Sequence, residues 1–316
     1  MEKELRKQAN RLLEEGTVDC IIGHAQGSLK FTTTPLITGD KTEISNLIIS
    51  PFMHNNLANY LIRRHGKTGI VAKGCDSRSI VSLIQDKQVS RDAVVIIGVP
   101  CSGLVDMAKL ESLTGKVRDQ IEAVTVAGDK VSVKLNGKKK EYPARQVLFD
   151  HCLGCEFPTP QEYDCLIGEP VAAINDTELS SKKIADIKKM APQDRWAFWQ
   201  KQFSRCIRCY ACREVCPACF CERCFAEESQ PHWISPVPQW QDNLVFQVIR
   251  TIHVAGRCSD CGECERVCPQ HIPLRLLSRE MYDLIDEMFH YKSGMDKNAP
   301  PLMTAYEMVE AEGLIR

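Results

Sequence analysis

Two runs of cysteines share one spacing, and thiols at this spacing can bind metal. Each run reads C-x2-C-x2-C-x3-C-P, and the cysteines are Cys206, Cys209, Cys212 and Cys216 in the first run and Cys258, Cys261, Cys264 and Cys268 in the second. Three closely spaced thiolates can wrap one face of a cubane, whereas zinc sites use paired CxxC knuckles. The spacing therefore predicts two [4Fe-4S] clusters.

The fourth cysteine of each run is predicted to reach across to the other cluster. In the bacterial two-cluster ferredoxin signature this residue points away from its own run. The expected ligands are Cys206, Cys209, Cys212 and Cys268 for one cluster and Cys258, Cys261, Cys264 and Cys216 for the other. Residues 219–255 lie between the runs, so this unit carries an insertion.

A second group of cysteines follows predicted strands upstream. Cys75 and Cys101 each come directly after a short apolar strand, and Cys152 and Cys155 form a CxxC further along. Sites in open α/β sheets lie beyond the carboxyl ends of the strands, and helix N-termini there favour an anionic group. The four predict a third [4Fe-4S] cluster. The alternative is that Cys75 and Cys101 are buried small apolar residues.

Five cysteines remain. Cys20 and Cys165 lie within apolar strand-like runs and are interpreted as core. Cys219, Cys221 and Cys224 directly follow the first run. They could complete the third site with Cys152 and Cys155, form a fourth site, or stay reduced beside the clusters.

Alternating strands and helices are predicted to position these loops in the first half of the chain. The expected strands are 18–23, 68–72 and 93–99, and the expected helices are 1–16, 54–65, 76–85 and 103–110. This order indicates an α/β domain with a mostly parallel sheet covered on both faces. Segments 121–127 and 131–135, with a turn signal at 135–138, predict an additional β-hairpin.

The second half of the chain is predicted to be α-rich. Expected helices are 178–190, 194–203, 244–254, 274–290 and 303–312, while the Pro- and Trp-rich segment 229–242 is expected to be irregular but docked. The predicted domains are an α/β domain at 1–178, a bacterial-type dicluster ferredoxin domain at 179–292 with its insertion at 219–255, and a docking tail at 293–316.

Composition excludes several classes of protein. The formal net charge is −1, which argues against nucleic acid as a partner. No apolar run reaches the roughly 20 residues of a membrane span, and the charged N-terminal helix is unlike a signal peptide, so a cytoplasmic location is expected. Seventeen cysteines, an odd number clustered at short spacings, suit metals better than disulfides.

Three other sequence patterns bear on cofactor binding. No G-x-G-x-x-G is present, so the sequence offers no Rossmann dinucleotide site. The hydroxyl-rich segment 28–40 could contact flavin, but an ordinary hairpin is the preferred interpretation. His151, beside Cys152, is assigned a structural role.

Four stretches together resemble the beta subunits of coenzyme F420-reducing hydrogenases and formate dehydrogenases. They are VAKGCDSRSIVSLIQ at 71–85, IIGVPCSGL at 96–104, HCLGCEFPTPQEYDCLIGE at 151–169 and CIRCYACREVCPACFCERCF at 206–225. The resemblance spans about 18–270, and the GCD, VPC and CLGC loops make it specific. It is greatest to electron-transfer subunits that combine this beta-subunit domain with a two-cluster ferredoxin.

The resemblance implies cofactors and partners. Members of the family pass electrons between a catalytic partner and a carrier, and many bind FAD and an additional [4Fe-4S] cluster. The matching positions for that cluster are Cys75, Cys101, Cys152 and Cys155. The partners are hydrogenases, formate dehydrogenases or heterodisulfide-reductase-like assemblies.

The main hypothesis is an iron–sulfur electron-transfer subunit of a soluble anaerobic oxidoreductase complex, in which no residue of this chain makes or breaks substrate bonds. The alternative is a flavin-containing oxidoreductase that acts directly on coenzyme F420, ferredoxin or NAD(P), because hydride chemistry would need a flavin. A zinc-binding interaction module is the third hypothesis.

Overall fold

The computed structural model describes residues 1–173 and 177–304. The strands are β1 Cys20–Gln26, β2 Thr33–Thr38, β3 Thr68–Ala72, β4 Val94–Gly98, β5 Ile121–Ala127, β6 Lys130–Leu135, β7 Lys138–Pro143 and β8 Cys165–Leu166. The α-helices are α1 Glu2–Glu14, α2 Gly74–Gln85, α3 Met107–Thr114, α4 Ala144–Val147, α5 Asp150–Leu153, α6 Thr177–Lys189, α7 Pro192–Ser204, α8 Ala211–Glu214, α9 Trp240–His253, α10 Glu263–Arg266 and α11 Leu274–Phe289.

A five-stranded sheet forms the centre of the first half, in the order β2-β1-β3-β4-β8. Strands β1, β3, β4 and β8 pair in parallel, and β2 pairs antiparallel with β1. Successive residues of a strand point to opposite faces. Ile21 accordingly packs in the core that α1 covers, and Ile22 in the core that α2 covers. The predicted mostly parallel sheet with two covered faces is confirmed.

A second sheet, β5-β6-β7, is antiparallel throughout. The predicted hairpin is present, but the 135–138 turn joins β6 to β7, a strand that the sequence did not predict. Asn136 and Gly137 take positive φ angles there, as two-residue hairpin turns require. The highly charged β7 (KKKEYP) contributes one buried side chain, that of Tyr142, and it therefore lacks the alternation that marks a half-buried strand.

Two predicted helices differ in the structure. The helix expected at 54–65 was wrong: this segment contains a short 3-10 helix, Leu57–Leu61, whose first turn is capped by the side chain of Asn56. Arg63 then takes a φ of +61°, which ends the turn. The helix expected at 103–110 begins later, at Met107, because the Asp106 side chain accepts the N–H groups of Ala108 and Lys109. Most of the helix expected at 303–312 lies outside the described residues.

The second half is helical, as predicted, around a small core. Its buried residues are Phe203, Cys212, Ile234, Phe246, Ile272 and Leu274. Segment 229–242 is irregular apart from the start of α9 at Trp240. No helix within the described residues is long and apolar enough to span a membrane.

Helix α2 joins the two halves. Its Arg78, which is buried, donates hydrogen bonds to the carbonyls of Ser293 (3.0 Å) and Ser259 (3.3 Å) and to the Tyr282 hydroxyl (3.1 Å). The hydroxyls of Ser79 and Ser259 lie 2.8 Å apart. These contacts fix the sheet against the second cysteine run.

Candidate iron–sulfur centres

The two cysteine runs fold alike. In each run two of the turns between cysteines place a residue at positive φ, namely Arg208 and Tyr210 in the first and Asp260 and Gly262 in the second. A four-residue helix then follows, α8 or α10, and carries the third cysteine. The turns bring the first three thiols of a run to one side, as a cubane requires.

The structure groups the eight thiols in the crossed arrangement. One cavity of about 20 Å³ is lined by the thiol-bearing residues Cys206, Cys209, Cys212 and Cys268. A second cavity of about 20 Å³ is lined by Cys216, Cys258, Cys261 and Cys264. Each cavity therefore receives three cysteines from one run and the fourth from the other.

N–H groups point at several of these sulfurs. The backbone N–H of Asp260 donates to Cys258 Sγ at 3.4 Å, and that of Ile272 donates to Cys268 Sγ at 3.5 Å. The side-chain amide of Gln247 donates to Cys212 Sγ at 3.8 Å. Hydrogen bonds to sulfur stabilise the thiolate and are one of the factors that set the potential of a cluster. These donors fit thiolate ligands better than neutral thiols.

Charge and burial have opposite effects on the pKa values of the thiols at the second cavity. Burial raises the pKa of Cys258 to about 11, so this thiol is protonated without a bound metal. A hydrogen bond from Cys219 lowers the pKa of Cys216, and the Arg250 guanidinium nearby contributes to the lowering. Metal binding must displace the remaining protons, which makes occupancy dependent on pH.

The four upstream cysteines meet at a third cavity, of about 50 Å³. It is lined by the thiol-bearing residues Cys75, Cys101, Cys152 and Cys155. Cys75 lies in the first turn of α2, Cys101 follows β4, and Cys152 belongs to α5. The backbone N–H of Leu104 donates to Cys152 Sγ at 3.3 Å. The sheet edge and two loops thus assemble the group that the sequence placed there.

A buried ion pair borders the third cavity. Lys73 Nζ lies 2.8 Å from Asp76 Oδ2, and both side chains are almost fully buried. Burial by itself would lower the pKa of Lys73, but the Asp76 carboxylate raises it overall, so the ammonium stays charged. Burial raises the pKa of the Cys155 thiol to about 11. A cation next to the cavity suits an anionic cluster with thiolate ligands.

The second and third cavities share a wall. Ser259, Asp260 and Cys261 line both. His151 also lines the third cavity, and its ring stacks on Phe149 with centroids 5.3 Å apart. A side chain at position 262 would collide with the His151 ring, so Gly262 lets that ring pack against the second run. This agrees with the structural role assigned to His151.

The remaining cysteines separate into two kinds. Cys20 and Cys165 lie in β1 and β8, within the strand-like runs where the sequence placed them. Cys219, Cys221 and Cys224 line a different and larger cavity, of about 750 Å³, and Cys152 and Cys155 are not among its lining residues. Across residues 1–173 and 177–304, no three His, Cys, Asp or Glu side chains converge as the ligands of a single metal ion do.

Sequence reasoning missed Lys73 and Arg250. Lys73 adjoins the Gly74-Cys75 pair, so its place in the AKGCD loop was an available signal. Arg250 lies 38 residues from Cys212, whose carbonyl accepts its Nη2–H at 3.0 Å. No local pattern could have indicated that contact.

Comparison with known proteins identifies relatives. The 4Fe-4S dicluster domain family matches residues 202–272. The F420-dependent formate dehydrogenase subunit beta of Methanocaldococcus jannaschii is 25% identical, covering 92% of this chain and 91% of that protein. The corresponding formate dehydrogenase 1 subunit of Methanococcus maripaludis is 26% identical, covering 92% and 90%.

A chain of a xenon derivative of the F420-reducing [NiFe] hydrogenase complex from Methanosarcina barkeri aligns with a TM-score of 0.39 and 15% identity, covering 65% of this chain and 90% of that one. The matches to the formate dehydrogenase subunits run over nearly the whole of both sequences, and they agree with the GCD, VPC and CLGC loops. This chain is therefore similar over nearly its whole length to the beta subunits of F420-dependent formate dehydrogenases, and its residues 202–272 match the 4Fe-4S dicluster domain family.

Proposed function

We propose that this chain is the iron–sulfur electron-transfer subunit of a formate dehydrogenase or a related oxidoreductase complex. The observation that carries the proposal is the sorting of twelve cysteines into three groups of four around three cavities. The relatives are named as beta subunits of formate dehydrogenases, which supports a catalytic partner that oxidises formate and passes its electrons to this chain.

The proposed ligands follow the cavities. Cys206, Cys209, Cys212 and Cys268 hold one [4Fe-4S] cluster; Cys216, Cys258, Cys261 and Cys264 hold the second; Cys75, Cys101, Cys152 and Cys155 hold the third. When bound, such clusters take up and release single electrons. The protein residues fix the sulfurs, exclude water and balance charge through Lys73 and Arg250. The same geometry supports the proposed division into an α/β domain at 1–178, a dicluster domain at 179–292 and a tail at 293–316.

The wall shared by the second and third cavities indicates the order of the three proposed clusters along the electron path. Ser259–Cys261 separates the third cavity from the second, and crossed ligands join the second to the first. Cys209 is the exposed member of the first group, while Cys152 of the third group is buried. Electrons therefore travel between the α/β domain and the surface near Cys209, where a redox partner can approach.

Metal and flavin analysis of protein prepared without oxygen tests this function. At least about twelve irons and twelve sulfides per chain are expected, because three [4Fe-4S] clusters hold that number, and only about eight would contradict the third cluster. FAD, which the family resemblance implies, would be released as yellow flavin on denaturation. Its presence would favour the alternative function, direct action on F420, ferredoxin or NAD(P). Identification of the chains that co-purify from the native host would name the catalytic partner.

A further inference from the structure

The three cysteines that follow the first run face an open cavity with room for a sizeable group. Residues 219–224 form an irregular loop outside any helix or strand. Cys219, Cys221 and Cys224 all line the cavity of about 750 Å³, which the three sites described above do not use. Ligand-binding cavities in proteins measure about 300–1,000 Å³.

Buried guanidinium nitrogens of two arginines point to an anion in this cavity. Arg250 is 4% exposed and lines the cavity, and its Nε has no hydrogen-bond partner among the described residues. Arg213 also lines the cavity, and its buried Nη1 lacks a partner within the same part of the chain. The other guanidinium nitrogens of Arg213 bind Glu214 and Glu227. Unpaired buried N–H groups are costly, so they indicate an acceptor that belongs there.

The cavity also adjoins the second cluster site. Ala218, Arg250 and Arg257 line both cavities. The backbone N–H of Cys219 donates to the carbonyl of Cys216 at 3.0 Å, which places Cys219 beside a proposed cluster ligand. A redox group in the larger cavity would therefore lie next to the electron path.

We propose that Cys219, Cys221 and Cys224 bind a fourth [4Fe-4S] cluster, with one iron left to a ligand other than cysteine. Three thiolates and the sulfides of the cluster supply negative charge and acceptors for Arg213 Nη1 and Arg250 Nε, which have none among the described residues. The imidazole of His253 lines the same cavity and is available for the fourth iron. A zinc ion fits less well, because it needs closely converging ligands and fills little of this volume. The inference rests on the proposed function, since it extends the same chain of clusters.

Metal analysis of matched variants tests the site. Wild-type protein expressed and purified anaerobically should hold about sixteen irons and sixteen sulfides per chain, and the C219S/C221S/C224S variant about twelve of each. The C20S/C165S variant, with two thiols removed from the sheet, is the control and should keep about sixteen. Because the triple variant could misfold, Cys221→Ser alone is the second test. Cys221 is exposed, so this change should spare the fold and still reduce the iron content or alter the EPR spectrum.

Each other outcome has a separate meaning. About twelve irons in both wild-type and triple variant would overturn the fourth cluster and leave the proposed function intact. One zinc per chain that the triple variant loses, or a flavin that it loses with unchanged iron, would replace the cluster with that ligand. Fewer than about eight irons in wild-type protein after reconstitution with iron and sulfide would instead contradict the proposed function itself.

Discussion

Cys216 is the residue on which the crossed ligation depends. It is the last cysteine of the first run but lines the cavity of Cys258, Cys261 and Cys264. Replacing Cys216 with Ser should therefore perturb the cluster of the second run and spare that of its own sequence neighbours. EPR of the reduced protein should show a changed signal for the cluster of the second run and an unchanged signal for the 206–212 cluster. A change confined to the 206–212 cluster would show that the ligation is not crossed, and Cys165→Ser is the matched control.

Arg78 is a buried residue that links the two halves of the chain through three hydrogen bonds. Arg78→Leu leaves the Ser259 and Ser293 carbonyls and the Tyr282 hydroxyl without this donor. We expect the free energy of unfolding to fall by about 3 kcal/mol, because buried acceptors lose their partner. Anaerobic thermal unfolding measures the effect. Arg11→Leu removes an exposed arginine paired with Glu15 and should change stability by less than about 0.5 kcal/mol. An equal loss of unfolding free energy in the two variants would show that Arg78 does not hold the two halves together.

At the residue scale, the sequence predicted which cysteines lie together better than it predicted the residues around them. The spacing within Cys206–Cys216 and within Cys258–Cys268 determines a local turn geometry. These ligands could therefore be predicted from the local sequence. The group of Cys75 with Cys101 could be predicted because parallel strands end at one sheet edge. Arg250 could not, since its role depends on the way α9 packs over both runs.

At the scale of the secondary-structure elements, the N-terminus of helix α2 is packed so closely that position 74 has no space for a side chain. A Cβ built at Gly74 would lie 1.8 Å from the carbonyl oxygen of Phe157, which belongs to the segment that carries Cys155. Gly74→Ala should push this segment away from Cys75 and empty the third site. We expect a loss of about four irons per chain, with the EPR signals of the dicluster region retained.

Gly137→Ala is the matched control for that change. Gly137 lies in the β6–β7 turn with a φ of +74°, and its added Cβ would meet no atom within 4 Å. The cost is therefore backbone strain alone, about 1 kcal/mol of unfolding free energy, and iron content should not change. Equal iron loss in both variants would show that the third site does not depend on the contact between Gly74 and Phe157.

The elements that the sequence predicted well are those whose apolar pattern decides their fold. Strand β3 was predicted with its observed bounds because all five residues are buried. Segment 54–65 has helix-forming residues, yet Asn56 caps a short 3-10 turn that packs beneath β3 and α2. Tertiary packing overrides local propensity there, and a single sequence does not reveal it.

For the whole molecule, the two halves have cores of different kinds. The sheet is held by large aliphatic clusters on both faces. The dicluster core is small, and the partly buried residues packed against it include Cys206, Cys224, Cys264 and Cys268. Helices α8 and α10 have four residues each, too few to be stable without support. Bound clusters should therefore supply much of the folding energy of residues 202–272.

Cluster removal should consequently unfold the molecule in part. After anaerobic oxidation with ferricyanide and chelation of iron, we expect amides of residues 202–272 to exchange at least tenfold faster with deuterium, because their core has lost its cross-links. Amides of β1, β3 and β4 should keep their protection, since no cysteine ligand lies within those strands. Hydrogen-exchange mass spectrometry of holo- and apo-protein measures both regions in one sample. Equal loss of protection in both would mean that the halves fold as one unit, through the contacts of Arg78 and Ser79, and unchanged protection throughout would mean that the clusters are not structural.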